Sequence, residues 1–277
     1  MRQMINGILY EYEVIGSGEP LLLLHGFTGD RTTWQPFLAS WEKYKVIAID
    51  IIGHGGTESP SEVACYEIEK AAADIVGLLD ALHIQKTHLL GYSMGGRLAL
   101  TIACLYPERV KSLILESCTP GLETDEEKAA RIRQDEALAA KIEAEGVASF
   151  IKYWENIPLF ATQKRLPEQK QAEIRKQRLQ NNPTGLANSL RGMGTGKQPS
   201  WWRSLPDLTM PVLLLCGEYD EKFCRILKRM KDVLPNAQLF QFSEAGHAIH
   251  VEQPEKFDTI VVEFLQQIDE GGINDGY

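Results

Sequence analysis

Gly91-Tyr92-Ser93-Met94-Gly95-Gly96 fits the pattern Gly-x-Ser-x-Gly, and what flanks it decides the fold. The apolar run Thr87-His88-Leu89-Leu90 before it reads as a buried strand, and Arg97-Leu98-Ala99-Leu100-Thr101-Ile102-Ala103 after it reads as a helix. A serine at such a strand-to-helix turn is held in a strained, exposed position, and small neighbours keep its hydroxyl clear. The helix N-terminus beside it presents unpaired N–H groups and the positive end of the macrodipole to developing negative charge. Six residues of this kind recur by chance, so the reading depends on their surroundings.

Outward from this turn, apolar runs bounded by turn residues recur in order: Ile8-Leu9-Tyr10, Leu21 to Leu24, Val46 to Ile49, His88 to Leu90, Ser112 to Leu115, Val212 to Cys216 and Leu239 to Phe242. The middle ones are apolar on both faces, as strands of a helix-covered parallel sheet are. Helical patterns alternate with them. In Tyr66 to Leu82, Ile68, Ala72, Ile75, Leu79 and Leu82 form one stripe. Such alternation predicts an α/β chain with a mostly parallel, doubly wound sheet, whose ligands gather at the C-terminal strand ends. Between Thr119 and Pro206 the alternation stops. Charged, alanine-rich Asp125 to Glu145, then Phe150 to Trp154, then Glu168 to Leu179 predict helices and no strand. The core is therefore assigned to residues 1–118 and 207–277, with residues 119–206 a helical lid or a merely decorative insert. Gly194-Thr195-Gly196-Lys197 resembles a phosphate loop, but Arg191 and Gln198 stand where that motif needs glycine and a hydroxyl. Gly271 to Tyr277 reads as a frayed tail.

The bulk numbers narrow the function. With 277 residues, 44% hydrophobic and 24% charged, the chain can bury a large core. The 29 basic and 38 acidic residues give a net charge of −9, which argues against a nucleic-acid or anionic-membrane partner. No apolar run reaches the ~20 residues that span a bilayer. Five cysteines show no metal-ligand spacing, and Cys104, Cys118 and Cys216 read as small buried thiols. With an odd cysteine count and no secretory signal at Met1 to Gly7, the expected location is the cytoplasm.

A serine hydroxyl becomes reactive when an imidazole takes its proton, and a carboxylate fixes that imidazole's tautomer. On this architecture the chain order is serine, acid, histidine. Asp220 follows the run Val212 to Cys216, and His247 follows the last run, both at strand C-termini. Glu218 and His250 compete for the two roles, while His54, His83 and His88 read as structural. The loop His25 to Asp30 after Leu24 supplies the other half: the amides of Phe27 and Met94 are the expected oxyanion hole, worth about 3–4 kcal/mol per donor. Arg97 lies about one helical turn beyond Ser93, close enough to grip a substrate carboxylate. A surface salt bridge is the competing account of that arginine.

With these residues assembled, the chain resembles the α/β-hydrolase superfamily over nearly its whole length. Within it, the chain is most similar to the 2-succinyl-6-hydroxy-2,4-cyclohexadiene-1-carboxylate synthases of menaquinone biosynthesis. The resemblance is carried by His25 to Asp30, Gly91 to Arg97, Gly217 to Phe223, and Ala245-Gly246-His247 with His250 and Pro254. It is sparser at Pro120-Gly121-Leu122 with Arg131, at Trp154 with Pro158 and Phe160, and at Arg178 before Asn181-Asn182. It implies a lyase that eliminates pyruvate, with Ser93, His247 and Asp220 acting as a base relay. It also implies that Arg97, Arg131 and Arg178 hold the carboxylates of a small polyanion, with His25, Tyr92, Trp154 and Phe160 as further substrate contacts. No metal or organic cofactor is required by that chemistry, and either a monomer or a homodimer fits it. From the residues alone, Arg131 and Arg178 also read as solvated helix positions, and Trp154 as packing. The alternatives are a carboxylesterase or carbon–carbon bond hydrolase working through an acyl-serine, and a ligand-binding protein that keeps the fold without turnover.

Overall fold

The computed structural model describes residues 1–271, so the expected tail lies, beyond Gly271, outside the described residues. Eight strands form one sheet: β1 (Arg2–Ile5), β2 (Ile8–Ile15), β3 (Pro20–Leu24), β4 (Lys45–Ile49), β5 (Thr87–Tyr92), β6 (Val110–Glu116), β7 (Val212–Gly217) and β8 (Ala237–Phe242). Their order is β1-β2-β4-β3-β5-β6-β7-β8, antiparallel at the β1–β2 and β2–β4 pairs and parallel elsewhere. The seven expected strands are all present. β1 was not anticipated: it is short and mostly exposed, and it is joined to β2 by a tight Asn6-Gly7 turn with both residues at positive φ.

Strand alternation explains the two layers around the sheet. Leu22, Leu24, Ile47 and Ile49 face one side, where α1 (Ile68–Ala81), α2 (Met94–Leu105) and α6 (Glu221–Val233) cover them. Leu21, Leu23, Val46 and Ala48 face the other, against Trp34, Phe37, the short α7 (Ile249–Glu252) and α8 (Pro254–Asp269). Of the three cysteines expected to be buried, Cys118 and Cys216 are, whereas Cys104 is half-buried at the core edge. Among the described residues no helix is long and apolar enough to cross a membrane.

Between β6 and β7 the chain forms α3 (Asp125–Trp154), α4 (Glu168–Leu179) and α5 (Pro183–Met193). α3 opens with a capping box, Thr124 Oγ1 accepting from the Glu127 amide at 3.2 Å, and breaks at Gly146 (φ 80°, ψ 168°). α5 was not foreseen, although Asn182 and Pro183 are an N-cap and first-turn pair. Its Leu186, Ala187 and Leu190 pack on Ala139, Ile142, Phe150 and Ile151 of α3, a third small core.

The sheet's switch point positions the chemistry. After β4 the chain crosses to the far side of β3 and enters β5, with Leu24 registered against Gly91. The loops leaving β3 and β5 therefore emerge side by side. α2 starts at once, so close that a Cβ on Gly95 would lie 2.1 Å from the Leu24 carbonyl oxygen. Gly95→Ala is expected to cost about 3 kcal/mol, because backbone carbonyls on a central strand cannot yield. A urea melt checks this, and a variant as stable as wild type contradicts it.

Candidate active site

Ser93 sits between β5 and α2 at φ 51°, ψ −105°, a region that L-residues rarely occupy. Its amide donates to the Glu116 carbonyl at 2.8 Å, which pins the turn to β6. Asp220 follows β7, and its amide closes a turn onto the Gly217 carbonyl at 2.9 Å. His247 lies in the loop after β8, buried at 1% exposure. The three side chains meet: His247 Nδ1 is 2.6 Å from Asp220 Oδ2, and His247 Nε2 is 2.9 Å from Ser93 Oγ. With the carboxylate accepting, Nδ1 carries the proton and Nε2 is free to take that of the serine. Phe223, Tyr92 and Phe160 surround the imidazole with ring centres 4.8, 5.4 and 6.1 Å away, which keeps bulk water off it.

The two competitors are engaged elsewhere. His250 Nδ1 and its amide both bind buried Glu116, at 2.9 and 3.1 Å. Glu218 accepts from the Glu244 amide at 2.9 Å. His54 is buried in its turn, and burial holds its pKa down at about 3, so it stays neutral.

Phe27 and Met94 both line the cavity that opens on Ser93, and among the described residues neither amide donates to a backbone carbonyl or a side chain. The loop carrying Phe27 is held from the insertion. Asn181, beyond α4, donates Nδ2 to the Thr28 carbonyl at 2.8 Å, and its Oδ1 accepts from the Gly55 amide at 3.3 Å. Thr28 itself is at φ 69°. Gln177 reaches Asp30 Oδ1 at 2.7 Å on the same loop.

The cavity is about 180 Å³. Tyr92, Arg97, Arg131, Trp154 and Phe160 line it as expected, joined by Lys222, which sequence reasoning left unassigned. Among the described residues no carboxylate lines it. Arg97 is 9% exposed and donates Nη1 to the Met193 carbonyl at 2.6 Å and to Gln198 Oε1 at 2.8 Å. The surface salt bridge is therefore ruled out. Burial, and then Arg131 nearby, pull its pKa down to about 10, which leaves it charged at neutral pH. Arg131 pairs through Nε with Asp135 at 2.8 Å and is about one-third exposed. Trp154 stacks on Phe150 and meets Phe27 and Phe160 edge-on, so it is both packing and cavity wall.

Two expected contacts lie elsewhere. Arg178 lines a neighbouring cavity of about 290 Å³, separated from the first by Phe27, Tyr92 and Phe160, which border both. It is 8% exposed, so it is no solvated helix position; it donates to Gln163 at 3.2 Å and stacks over Phe160 at 4.8 Å. His25 borders neither of these cavities. Its Nε2 accepts from the Ile51 amide at 3.0 Å and its Nδ1 donates to the Gly26 carbonyl at 2.8 Å, so both nitrogens are spent on shaping the β3 loop. The substrate contact expected of His25 is withdrawn on that ground. Among the described residues, Glu19, His88 and Asp269 have metal-ligand spacing, but Lys111 Nζ bonds both carboxylates at 2.9 and 2.5 Å. That cluster does not border the Ser93 cavity.

Residues 19–254 match the sequence model of the alpha/beta hydrolase fold, and the chain belongs to that family. The chain is 47% identical to a Bacillus subtilis (strain 168) protein named a candidate 2-succinyl-6-hydroxy-2,4-cyclohexadiene-1-carboxylate synthase, over 91% of this chain and 92% of that one. It is 32% identical to the synthase of that name from Photorhabdus laumondii, over 88% of this chain and 84% of the other. The structure of MenH from S. aureus superposes with a TM-score of 0.89 at 36% identity, covering 94% of this chain and 98% of that one. Within the hydrolase fold, then, this chain is a member of the 2-succinyl-6-hydroxy-2,4-cyclohexadiene-1-carboxylate synthase family.

Labelling of Ser93 by a fluorophosphonate tests the geometry without any assumption about substrate. Asp220→Asn is expected to slow it by about 10³-fold through the wrong imidazole tautomer. Asn181→Ala is expected to slow it roughly tenfold by loosening the Phe27 amide. An unchanged rate in Asp220→Asn would overturn the assignment of the acid.

Proposed function

We propose that this protein is a carbon–oxygen lyase that eliminates pyruvate from 2-succinyl-5-enolpyruvyl-6-hydroxy-3-cyclohexene-1-carboxylate, a step of menaquinone biosynthesis. The observation that carries the reading is the charge of the Ser93 cavity: among the described residues Arg97, Arg131 and Lys222 line it and no carboxylate does. A neutral ester needs no such wall, whereas the substrate's carboxylates do. The family of the chain supplies the identity of the polyanion.

Ser93 Oγ takes the ring proton beside the succinyl ketone while His247 Nε2 takes the hydroxyl proton, with Asp220 steadying the imidazolium. The electron pair left on carbon moves onto the ketone oxygen, and the Phe27 and Met94 amides receive that enolate charge as an oxyanion hole. When the enolate collapses, the electrons pass through the ring double bond and break the carbon–oxygen bond to the enolpyruvyl group. The departing enolate is protonated and becomes pyruvate. Nothing here requires a covalent intermediate, a metal or an organic cofactor. Tyr92, Trp154 and Phe160 position the ring, and Arg178 attracts a carboxylate to the adjoining cavity.

Residues 119–206 act in this scheme as a lid. Its attachment to the catalytic loops supports that role. Glu252 accepts both from the Gly246 amide beside His247, at 2.7 Å, and from Thr162 of the insertion, at 2.9 Å. The protein is read as cytoplasmic, which its five free cysteines favour, and as acting on a small molecule rather than a nucleic acid or membrane.

Pyruvate release from the enolpyruvyl substrate, followed by coupling to lactate dehydrogenase, tests the assignment. Ser93→Ala is expected to lower kcat by about 10³-fold or more, and near-wild-type turnover would sink the role given to Ser93. Arg97→Ala should reduce kcat/KM for this substrate by about 10²-fold, against less than about threefold for a neutral ester. Equal losses on both would remove carboxylate recognition from Arg97. The second reading, an acyl-serine hydrolase, is favoured by the intact triad, and a burst of product from an ester substrate would support it.

A further inference from the structure

Arg97 is buried, and its hydrogen-bond partners among the described residues are all neutral, which is unusual for a guanidinium. Its neighbour Arg131 is paired with Asp135, whose charge also reaches Arg97, but Arg97 itself makes no ion pair within 4 Å among the described residues. Both of its partners come from one segment of the insertion: the carbonyl of Met193 at the C-terminus of α5, and the side chain of Gln198 five residues on. A helix C-terminus carries partial negative charge, which steadies a cation without cancelling it. Gln198 does the same. Its amide orientation is fixed by chemistry, because a guanidinium only donates and so must meet Oε1 rather than Nε2. The consequence is visible in the structure. Gln198 is 1% exposed, and its Nε2 is buried with no partner among the described residues. A buried amide nitrogen left unbonded costs stability, so its retention calls for a reason.

We propose that Gln198 is a positioning residue that aims Arg97 at the substrate carboxylate while adding no negative charge of its own, and thereby sets the preference of the Ser93 cavity for anions. The inference rests on reading Arg97 as a carboxylate grip. A glutamate at 198 would hold Arg97 at least as firmly, but it would neutralise the charge the substrate needs. A methionine would keep the volume and remove the acceptor. The two substitutions therefore separate aim from charge, which a merely structural role would not do.

The experiment compares wild type, Gln198→Glu and Gln198→Met for KM and kcat of pyruvate release, and for the calorimetric Kd of succinate as a dicarboxylate probe. Thermal melts establish that each variant is folded. For Gln198→Glu, KM and the succinate Kd are expected to rise about 30-fold with kcat changed less than about threefold. For Gln198→Met the rise should be only about three- to fivefold, the loss of aim alone. KM and Kd within twofold of wild type in Gln198→Glu would overturn the proposal. So would equal effects of Glu and Met, or a fall in kcat at unchanged KM. If Gln198→Glu does not fold, Gln198→Met decides alone, and a KM within twofold of wild type overturns the idea. If the wild type releases no pyruvate, the enzymatic reading falls separately. Gln198 is then judged on succinate, where the same Kd in wild type and variant overturns its role.

Discussion

The contact of α2 against the ends of β3 and β5 is the constraint on which the rest of this molecule depends. Gly91 and Gly95 let the helix start within touching distance of the Leu24 and His25 carbonyls, and no side chain fits between them. That closeness forces Ser93 into its strained backbone and turns the first amide of α2 toward the same space as the loop after β3. The histidine and the acid are then fixed by β7 and β8, whose loops are bonded to one another through the Tyr219 amide and the Ala245 carbonyl at 2.9 Å. Four strand ends thus meet at one hydroxyl, and the hydrophobic layers on both sheet faces hold them there.

What distinguishes this site from a general ester-cleaving one is how it treats charge. The protein is acidic overall, yet the wall around Ser93 is cationic. Arg97 and Arg178 are both buried, neither makes an ion pair with a carboxylate among the described residues, and burial lowers the proton affinity of each. Buried cations held by neutral oxygens and aromatic faces are costly to keep. They become favourable when an anion arrives, so stability is given up for recognition. The enolate of the elimination needs the same donors as a tetrahedral intermediate, which explains how a hydrolytic framework serves a lyase.

Much of this was legible in the sequence because the signals were local. Strand runs, the turn at Ser93 and the order Ser93, Asp220, His247 are written in short stretches, and each fell where expected. The misses have physical causes. β1 alternates exposed and buried residues over only four positions, too few for a period to show, although Asn6-Gly7 marked its hairpin. α5 carries Gly185, Asn188 and Gly192, which dilute its stripe, and its N-cap and proline were the better signal. His25 looked like a site residue because it opens a site loop. Which way its ring turns depends on the Ile51 amide, a partner 26 residues away. Arg178 belongs to a neighbouring chamber for a similar reason, since the partition of Phe27, Tyr92 and Phe160 is drawn from three separate segments. Gln198 carried no signal at all in sequence, because its meaning comes only from Arg97.

The Asn181 bridge has a kinetic implication of its own. One side chain beyond α4 holds the backbone of the loop that carries Phe27, so the corner between α4 and α5 and that wall of the Ser93 cavity are mechanically a single part. Were that corner to lift to admit a substrate, the Thr28 carbonyl would be released and the loop would be free to relax from its left-handed turn. An enzyme built this way would be unarmed while open to water and armed only once shut. Such an interlock suits a reaction whose carbanionic intermediate would otherwise be quenched by the nearest solvent molecule.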